Sequence, residues 1–260
     1  MATNARLKTT LLTIALGFTI TIADRSYAQT PSPSYRNFVE WCTNINTIDP
    51  AARITVEAVL DSAKTKDCNG VQNLEKLTLI GTETTDLRPI AGLTNLQGLY
   101  ISSTQITDLS PIAGLINLQQ LILWETKVTD LRPIAGLTNL QKLNLLASQV
   151  TNLSPIAGLT NLQSLDLNRT PVTNLSPIAG LTNLQSLDLS ETQVTDLSPI
   201  AGLTNLQSLI LDRTQITDLR PIAGLTDLQF LNLSGTTVSP ASEGVINSLA
   251  VRGVRVRINE

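Results

Sequence analysis

LQSLDLSETQVTDLSPIAGLTN, the segment at residues 184–205, is one of seven similar 22-residue units that follow one another without a break. The units start at leucines, namely Leu74, Leu96, Leu118, Leu140, Leu162, Leu184 and Leu206, and a partial eighth starts at Leu228. A fixed period in the range of roughly 20 to 50 residues is typical of solenoids, in which stacked units bury one continuous core. The period therefore predicts an elongated stack of units, each in contact only with its neighbours.

Each unit has the pattern of a strand followed by a short helical turn. Counted from the first leucine, positions 1, 4, 6, 11, 14, 17 and 20 are apolar in nearly every unit. Positions 3 to 7 alternate between polar and apolar, which indicates a strand with its leucines inward. Pro199 favours a helical first turn that Asp196 or Ser198 can cap, and Gly202 allows the chain to turn back. We expect an α/β solenoid, a right-handed superhelix with a concave parallel β-sheet and short 3₁₀ or α segments on its convex side.

Position 9 has a hydroxyl side chain in all eight units, as Thr in seven and as Ser148 in the fourth. We expect these hydroxyls to form a ladder that joins neighbouring turns. The alternative is that a β-branched residue merely packs the turn.

The N-terminal 28 residues resemble a secretory signal. Arg6 and Lys8 precede the apolar run LLTIALGFTITIA at residues 11–23, and Ser26-Tyr27-Ala28 provides small residues before a cleavage point. The alternative of a membrane anchor is disfavoured, since the run is shorter than the roughly 20 residues that span a bilayer. Residues 29–37 (QTPSPSYRN) read as a flexible lead-in.

Residues 38–73 are predicted to form a helical cap over the first unit. Val56, Val59 and Leu60 follow helical spacing, and Thr55 is a candidate N-cap for that helix. Cys42 and Cys68 are the only cysteines, which in an exported chain favours a disulfide over two free thiols. A zinc site is disfavoured because the chain has no histidine to complete it.

The repeat array is predicted to cover residues 74–238, and residues 239–260 a C-terminal helix and closing strand. Ser239-Pro240 can start a helix that extends to about Ala250, and Gly253 ends it. Val251, Val254 and Val256 align with positions 1, 4 and 6 of a ninth unit, one residue out of strict register.

Composition disfavours several classes of function. The chain has no histidine, the commonest general base, and a net charge of -3 with no basic stripe, so nucleic acid is not an expected partner. Acidic residues at position 5, Asp166 and Asp188, suggest either a calcium site or paired catalytic carboxylates. No calcium-loop motif is present and an open face offers no enclosed pocket, so we expect no metal, no cofactor and no enzyme activity.

Variation between units concentrates at positions 3, 5, 7, 8 and 10, and positions 3, 5 and 7 face outward from the strand. On adjacent strands this places an apolar group together: Tyr100, Ile122, Trp124 and Leu146. Beside it the face turns polar and acidic with Asn144, Asp166, Asn168 and Asp188. A clustered exposed apolar patch typically marks a binding surface, so these eight residues are the predicted ligand site. The alternatives are drift at exposed positions and coverage by the lead-in.

The unit L-x-x-L-x-L-x-x-T-x-[IV]-[ST]-[DN]-L-[SR]-P-I-A-G-L-T-N resembles the 22-residue repeats of bacterial internalin-like leucine-rich-repeat proteins. The signal segment and two-cysteine cap also resemble those of small secreted members. Thr replaces the family's Asn at position 9, and neither an immunoglobulin-like domain nor a wall-sorting tail follows the repeats, so host-cell invasion is not implied.

The resemblance implies a secreted or periplasmic envelope protein that binds a protein partner through its concave face, without a membrane span after signal cleavage, and as a monomer. Surface polysaccharide binding is one alternative. A structural or adhesive role without a specific ligand is another.

Overall fold

The structure, a computed structural model, describes residues 12–13, 19–20, 35–81 and 83–258. Strands β1 (Leu12–Thr13) and β2 (Thr19–Ile20) pair antiparallel and belong to a unit separate from residues 34–260. Apart from these four residues, the predicted signal at residues 1–28 lies outside the described residues, as do residues 29–34 of the lead-in.

Nine parallel strands form one sheet in which every strand pairs with its neighbours in sequence order. They are β3 (Lys76–Ile80), β4 (Gly98–Ser102), β5 (Gln120–Trp124), β6 (Lys142–Asn144), β7 (Ser164–Asp166), β8 (Ser186–Asp188), β9 (Ser208–Ile210), β10 (Phe230–Asn232) and β11 (Arg255–Arg257). Three-residue 3₁₀ segments alternate with the strands, with proline at the second position, from Arg88–Ile90 to Arg220–Ile222. The predicted solenoid fold is therefore confirmed.

The core consists of columns of leucine, isoleucine and valine that run through the whole array. In the sixth unit Leu184, Leu187, Leu189 and Val194 are completely buried, and their counterparts in neighbouring units are equally inaccessible. Each such side chain contributes about 1.5–3 kcal/mol by burial. The core is thus complete without help from the outward positions 3, 5 and 7.

Position 9 does not form the expected hydroxyl ladder. The hydroxyls of four threonines (Thr126, Thr170, Thr192 and Thr214) donate instead to a carbonyl three residues earlier in their own unit, at 2.6–3.0 Å. In the described residues only Thr214 and Thr236 approach each other between units, at 3.3 Å. The hydroxyls of Thr104 and Ser148 are buried without a partner, and Thr82 lies outside the described residues. The hydroxyls of the four threonines therefore cap their own turns, whereas the Thr236 hydroxyl reaches the preceding unit and donates to the Leu211 carbonyl at 2.5 Å.

Asparagine at position 22 forms the side-chain bonds between units. In six consecutive units its Nδ2 donates to a backbone carbonyl 23 residues earlier, at 2.8–3.0 Å. Glutamine at position 2 lies beside it, and the two rows of amides line a polar groove of about 960 Å³.

The turn after each strand depends on position 8, which adopts a left-handed conformation. Gly81 and Gly235 have this conformation in the first and eighth units, and non-glycine residues such as Ala147 (φ 54°) have it in between. Gly202, which was expected to turn the chain, does not have a positive φ. The chain does turn after the 3₁₀ segment, at residues 201–202 and 204–205, but the left-handed residue of each unit lies in the turn after the strand.

The cap preceding the sheet contains helices α1 (Phe38–Thr43) and α2 (Pro50–Ser62), and the predicted Cys42–Cys68 disulfide is confirmed. The expected N-cap at Thr55 is wrong. Helix α2 begins after Asp49, whose carboxylate accepts the Ala52 N–H at 3.0 Å, because an Asp-Pro pair is the stronger start signal. Thr55 lies inside the helix, and its hydroxyl donates to the Asp86 carbonyl at 2.5 Å.

Arg88 fixes the cap against the first unit. Its guanidinium forms ion pairs at 2.7 Å with Asp49 at the start of α2 and with Asp86, and it lies over the buried Trp41 ring. Arg88 therefore connects the start of helix α2 to the first unit.

At the C-terminal end, helix α3 (Glu243–Val251) is followed by β11, which pairs with β10. The expected alignment of this end is wrong. Val256 pairs with Leu231 at position 4, whereas Val251 belongs to the helix and is 89% exposed. Helix α3 extends through Val251, and Arg252 and the left-handed Gly253 follow it, so the strand begins two positions later than expected.

Candidate functional site

The eight predicted site residues all lie on the outward face of strands β4 to β8 or directly after them. Strand register aligns the position-5 residues in one row across the sheet, in the order Tyr100, Ile122, Asn144, Asp166 and Asp188. Trp124, Leu146 and Asn168 form a second row at position 7, two residues further along.

Trp124 is the most accessible member of the apolar group. Its side chain is 44% exposed, while Ile122 and Leu146 beside it are half-buried. The neighbour of Trp124 on β4 is the small Ser102, which is buried although its position faces outward. In protein interfaces, large aromatic side chains that pack against apolar neighbours contribute much of the binding energy.

Tyr100 lies apart from Trp124. Its hydroxyl donates to Gln120 Oε1 at 2.6 Å, and its ring lies over Gly98, two residues earlier on the same strand. A Cβ at Gly98 would lie 2.9 Å from the tyrosine ring, so the glycine creates the space for it. The ring points toward position 3 and Trp124 lies at position 7. Tyr100 therefore pairs with Ile122 of the predicted apolar group, while its ring is directed away from Trp124.

The side chains in the polar half of the site form hydrogen bonds mainly to the backbone of their own turns. One side-chain oxygen of Asn144, Asp166 and Asp188 accepts the backbone N–H two residues later, at 2.8–3.0 Å. Asn144 also donates to Asp166 at 2.7 Å. These residues stabilise the turn that presents position 7, and only part of their hydrogen-bonding capacity is available to a ligand.

Asp166 has an unusual electrostatic environment. Burial raises its pKa, and the charge of Asp188 adds to the effect, while the hydrogen bonds from the Asn168 backbone and the Asn144 amide act against it. The side-chain oxygen of Asn168 is buried without a partner. In the part of the chain that the structure describes, no three acidic or cysteine side chains converge as a metal site.

A row of charges borders the site at position 8. Glu191 accepts from Arg169 at 3.1 Å and from Arg213 at 3.2 Å. The hydrogen bond from Arg169 is the main cause that lowers the pKa of Glu191. This network borders the polar half, whereas the apolar half has Glu125, bonded to the Ser103 hydroxyl, at its edge.

Sequence reasoning missed a cleft between helix α2 and strand β3. This cap cleft has a volume of about 380 Å³ and is lined by Ile54, Glu57, Ala58, Asp61, Ser62, Thr78 and Ile80. Ile80 occupies position 7 of the first unit and is 60% exposed. The signal available in the sequence was an isoleucine at outward position 7 of the first unit, an apolar residue of the same kind as Trp124 and Leu146 at that position.

Comparison with known proteins identifies the family. A family model of leucine-rich repeats in two copies matches residues 72–114, 116–159, 160–202 and 204–243. No functionally curated protein is significantly similar in sequence.

Solved structures that resemble this chain include bacterial surface proteins. Internalin C2 from Listeria monocytogenes is 33% identical, with a TM-score of 0.72 over 83% of this chain and 96% of that one. The internalin InlF from the same organism is 29% identical, with a TM-score of 0.73 over 80% of this chain, which spans 64% of its length. A leucine-rich-repeat protein from Leptospira interrogans is 29% identical, with a TM-score of 0.66 over 72% of this chain and 49% of that one. The chain therefore belongs to the leucine-rich-repeat proteins and is internalin-like.

Proposed function

We propose that this chain is a non-enzymatic, secreted or periplasmic module that recognises a protein partner through the concave face of its sheet. Leucine-rich-repeat proteins of this kind are protein-binding modules, and the internalin-like relatives are non-enzymatic. In our proposal the centre of the surface is the apolar patch of Ile122, Trp124 and Leu146. Tyr100 flanks it on one side, and Asn144, Asp166, Asn168 and Asp188 on the other.

The exposure of Trp124 is the observation on which the proposal rests. The leucine columns bury the core completely, so nothing in the fold requires a tryptophan at this position. A 44% exposed indole between half-buried aliphatic side chains has apolar surface in contact with water, which a partner would remove. A strand-based surface is also preformed, which reduces the entropy lost on binding.

Export is supported by the cap. The Cys42–Cys68 disulfide is the kind of crosslink that persists in oxidising compartments such as the periplasm or the cell exterior. Within the described residues, none of the helices has the length and apolar character needed to cross a bilayer.

Polysaccharide recognition remains the second candidate, favoured by the open face of Trp124 beside the polar groups of Asn144 and Asp166. The geometry of Tyr100 argues against it. A sugar chain that stacks on both aromatic rings would need the two rings side by side. The hydrogen bond to Gln120 instead directs the Tyr100 ring toward position 3, away from Trp124 at position 7. A protein partner needs only the one anchor.

The test is recovery of partners from an envelope extract and from a glycan set, with wild type and two variants. Trp124→Ser removes the anchor. Ile116→Thr removes a comparable exposed apolar side chain (58% exposed) away from the patch and restores the threonine of other units. We expect a protein that wild type and Ile116→Thr recover and Trp124→Ser does not. Recovery only from the glycan set would support the polysaccharide alternative. Equal recovery of every partner by all three proteins would exclude the patch as the binding site.

A further inference from the structure

We infer that the cap cleft is a specificity pocket of this binding surface, which accepts an apolar side chain of a protein partner flanked by lysine or arginine. The inference rests on the proposed function and extends it from the sheet to the cap. It identifies the partner's contact segment by chemistry: a bulky aliphatic or aromatic residue next to positive charge.

The cleft is built by a second stripe of helix α2. Ala52, Val56 and Val59 form the buried stripe of this helix, whereas Ile54, Glu57, Ala58 and Asp61 line the cleft at helical i, i+3, i+4 and i+7 spacing. At the end of the helix, the Ser62 hydroxyl accepts the Thr78 N–H of the edge strand at 3.3 Å. Together with the Arg88 ion pairs, this contact holds the two walls in place without a ligand.

Strand register relates the cleft to the Trp124 patch. Ile80 on β3 and Trp124 on β5 both pair with Ser102 on β4, which is small and buried. At about 4.8 Å per strand, the backbones of the two exposed apolar residues are roughly 10 Å apart on the same face of the sheet. One extended segment of a partner can therefore contact Trp124 and place a neighbouring side chain on Ile80.

The negative charge of the cleft favours positively charged residues beside the partner's apolar side chain. Two of its seven lining residues, Glu57 and Asp61, are acidic, and none is basic. Both carboxylates are exposed, and among the described residues neither takes part in an ion pair. Lys76 is on the same strand as Thr78 and Ile80 but is not part of the lining. An apolar floor with an unpaired acidic rim is complementary to an apolar side chain beside a cation.

The experiment measures binding of short synthetic peptides by fluorescence polarisation at two salt concentrations. Three sets share a central leucine or phenylalanine and differ in the flanking residues, which are lysine and arginine, aspartate and glutamate, or serine. A fourth set has lysine and arginine around a central serine. The proteins are wild type, Ile80→Ser, the pair Glu57→Lys/Asp61→Lys, and Asp227→Lys as a charge control at the far end of the array. Since all substituted side chains are exposed, thermal melting is expected to show intact folds.

We expect wild type and Asp227→Lys to prefer the basic apolar peptides over the acidic ones by roughly fivefold or more, less at high salt. Ile80→Ser loses the requirement for the central apolar residue, and the double charge variant inverts the flanking preference. Equal binding of all sets by wild type, or an unchanged preference in both cleft variants, would overturn the inference. So would a dimer of wild type that Ile80→Ser abolishes, since the occupant would then be a second copy of this chain.

Failure of this inference is distinguishable from failure of the proposed function. A partner lost by Trp124→Ser but bound normally by both cleft variants would leave the concave-face proposal intact and remove the cleft from it.

Discussion

Two threonines at the same position of different units are expected to respond in opposite ways to substitution by valine. The Thr170 hydroxyl donates to the Leu167 carbonyl at 2.6 Å, whereas the Thr104 hydroxyl is buried without a partner. Thr170→Val removes a hydrogen bond with a net contribution of about 1 kcal/mol. Thr104→Val removes a buried, unpaired polar group that costs about 1–3 kcal/mol, so it is expected to stabilise the fold by about 1 kcal/mol or more.

The difference between the two variants is therefore at least about 2 kcal/mol in the free energy of unfolding. For a domain of this size each kcal/mol corresponds to about 2–4 °C in Tm, so the melting temperatures should differ by roughly 4–8 °C. Differential scanning calorimetry and urea unfolding provide independent measurements. If both variants shift in the same direction by the same amount, the hydroxyls do not differ in their bonding, and our account of position 9 fails.

Three further predictions concern the array and its cap. Asn161→Ala should lower unfolding stability by about 1 kcal/mol through loss of its bond to the preceding unit, while Gln163→Ala, whose side chain has no partner among the described residues, should have little effect on urea midpoints. Cys42→Ser should lower stability by about 3 kcal/mol without changing the circular dichroism of the repeats, and an unchanged Tm would mean that the crosslink has no stabilising role. The pKa of Glu191 is lowered in the folded state, so its contribution is present above the unfolded pKa and is lost as pH falls through the folded one. Glu191→Gln should accordingly be slightly less stable than wild type at neutral pH and equal to it in acid, and a constant difference across the titration would contradict this assignment.

The sequence pattern was sufficient to predict the sheet because apolar periodicity reports directly on burial. Leu184, Leu187 and Leu189 are buried as their spacing requires, and the same spacing repeats through the array. The polar partners were less predictable. A threonine and an asparagine both offer a hydrogen bond between units, and the distance from each side chain to the next turn decides which one reaches it. The ladder consequently depends on position 22 rather than on position 9.

The sequence predicts which residues of the site face outward, but not the directions of their side chains. Alternation along the strand correctly places Trp124 and Ile122 on the outward side, but the direction of Tyr100 depends on its neighbours Gly98 and Gln120. The cap cleft requires the position of α2 against β3, which depends on the tertiary contacts of Arg88. No local pattern reports on that contact.

The most direct test of the central claim is the ratio of dissociation constants of wild type and Trp124→Ser for a recovered partner, with Ile116→Thr as the control. An anchor of this kind costs about 2 kcal/mol or more when removed, so we expect at least a roughly 30-fold loss of affinity for Trp124→Ser and none for Ile116→Thr. Equal dissociation constants for all three proteins would show that the partner binds elsewhere and that the exposed tryptophan on the concave face is not the recognition site.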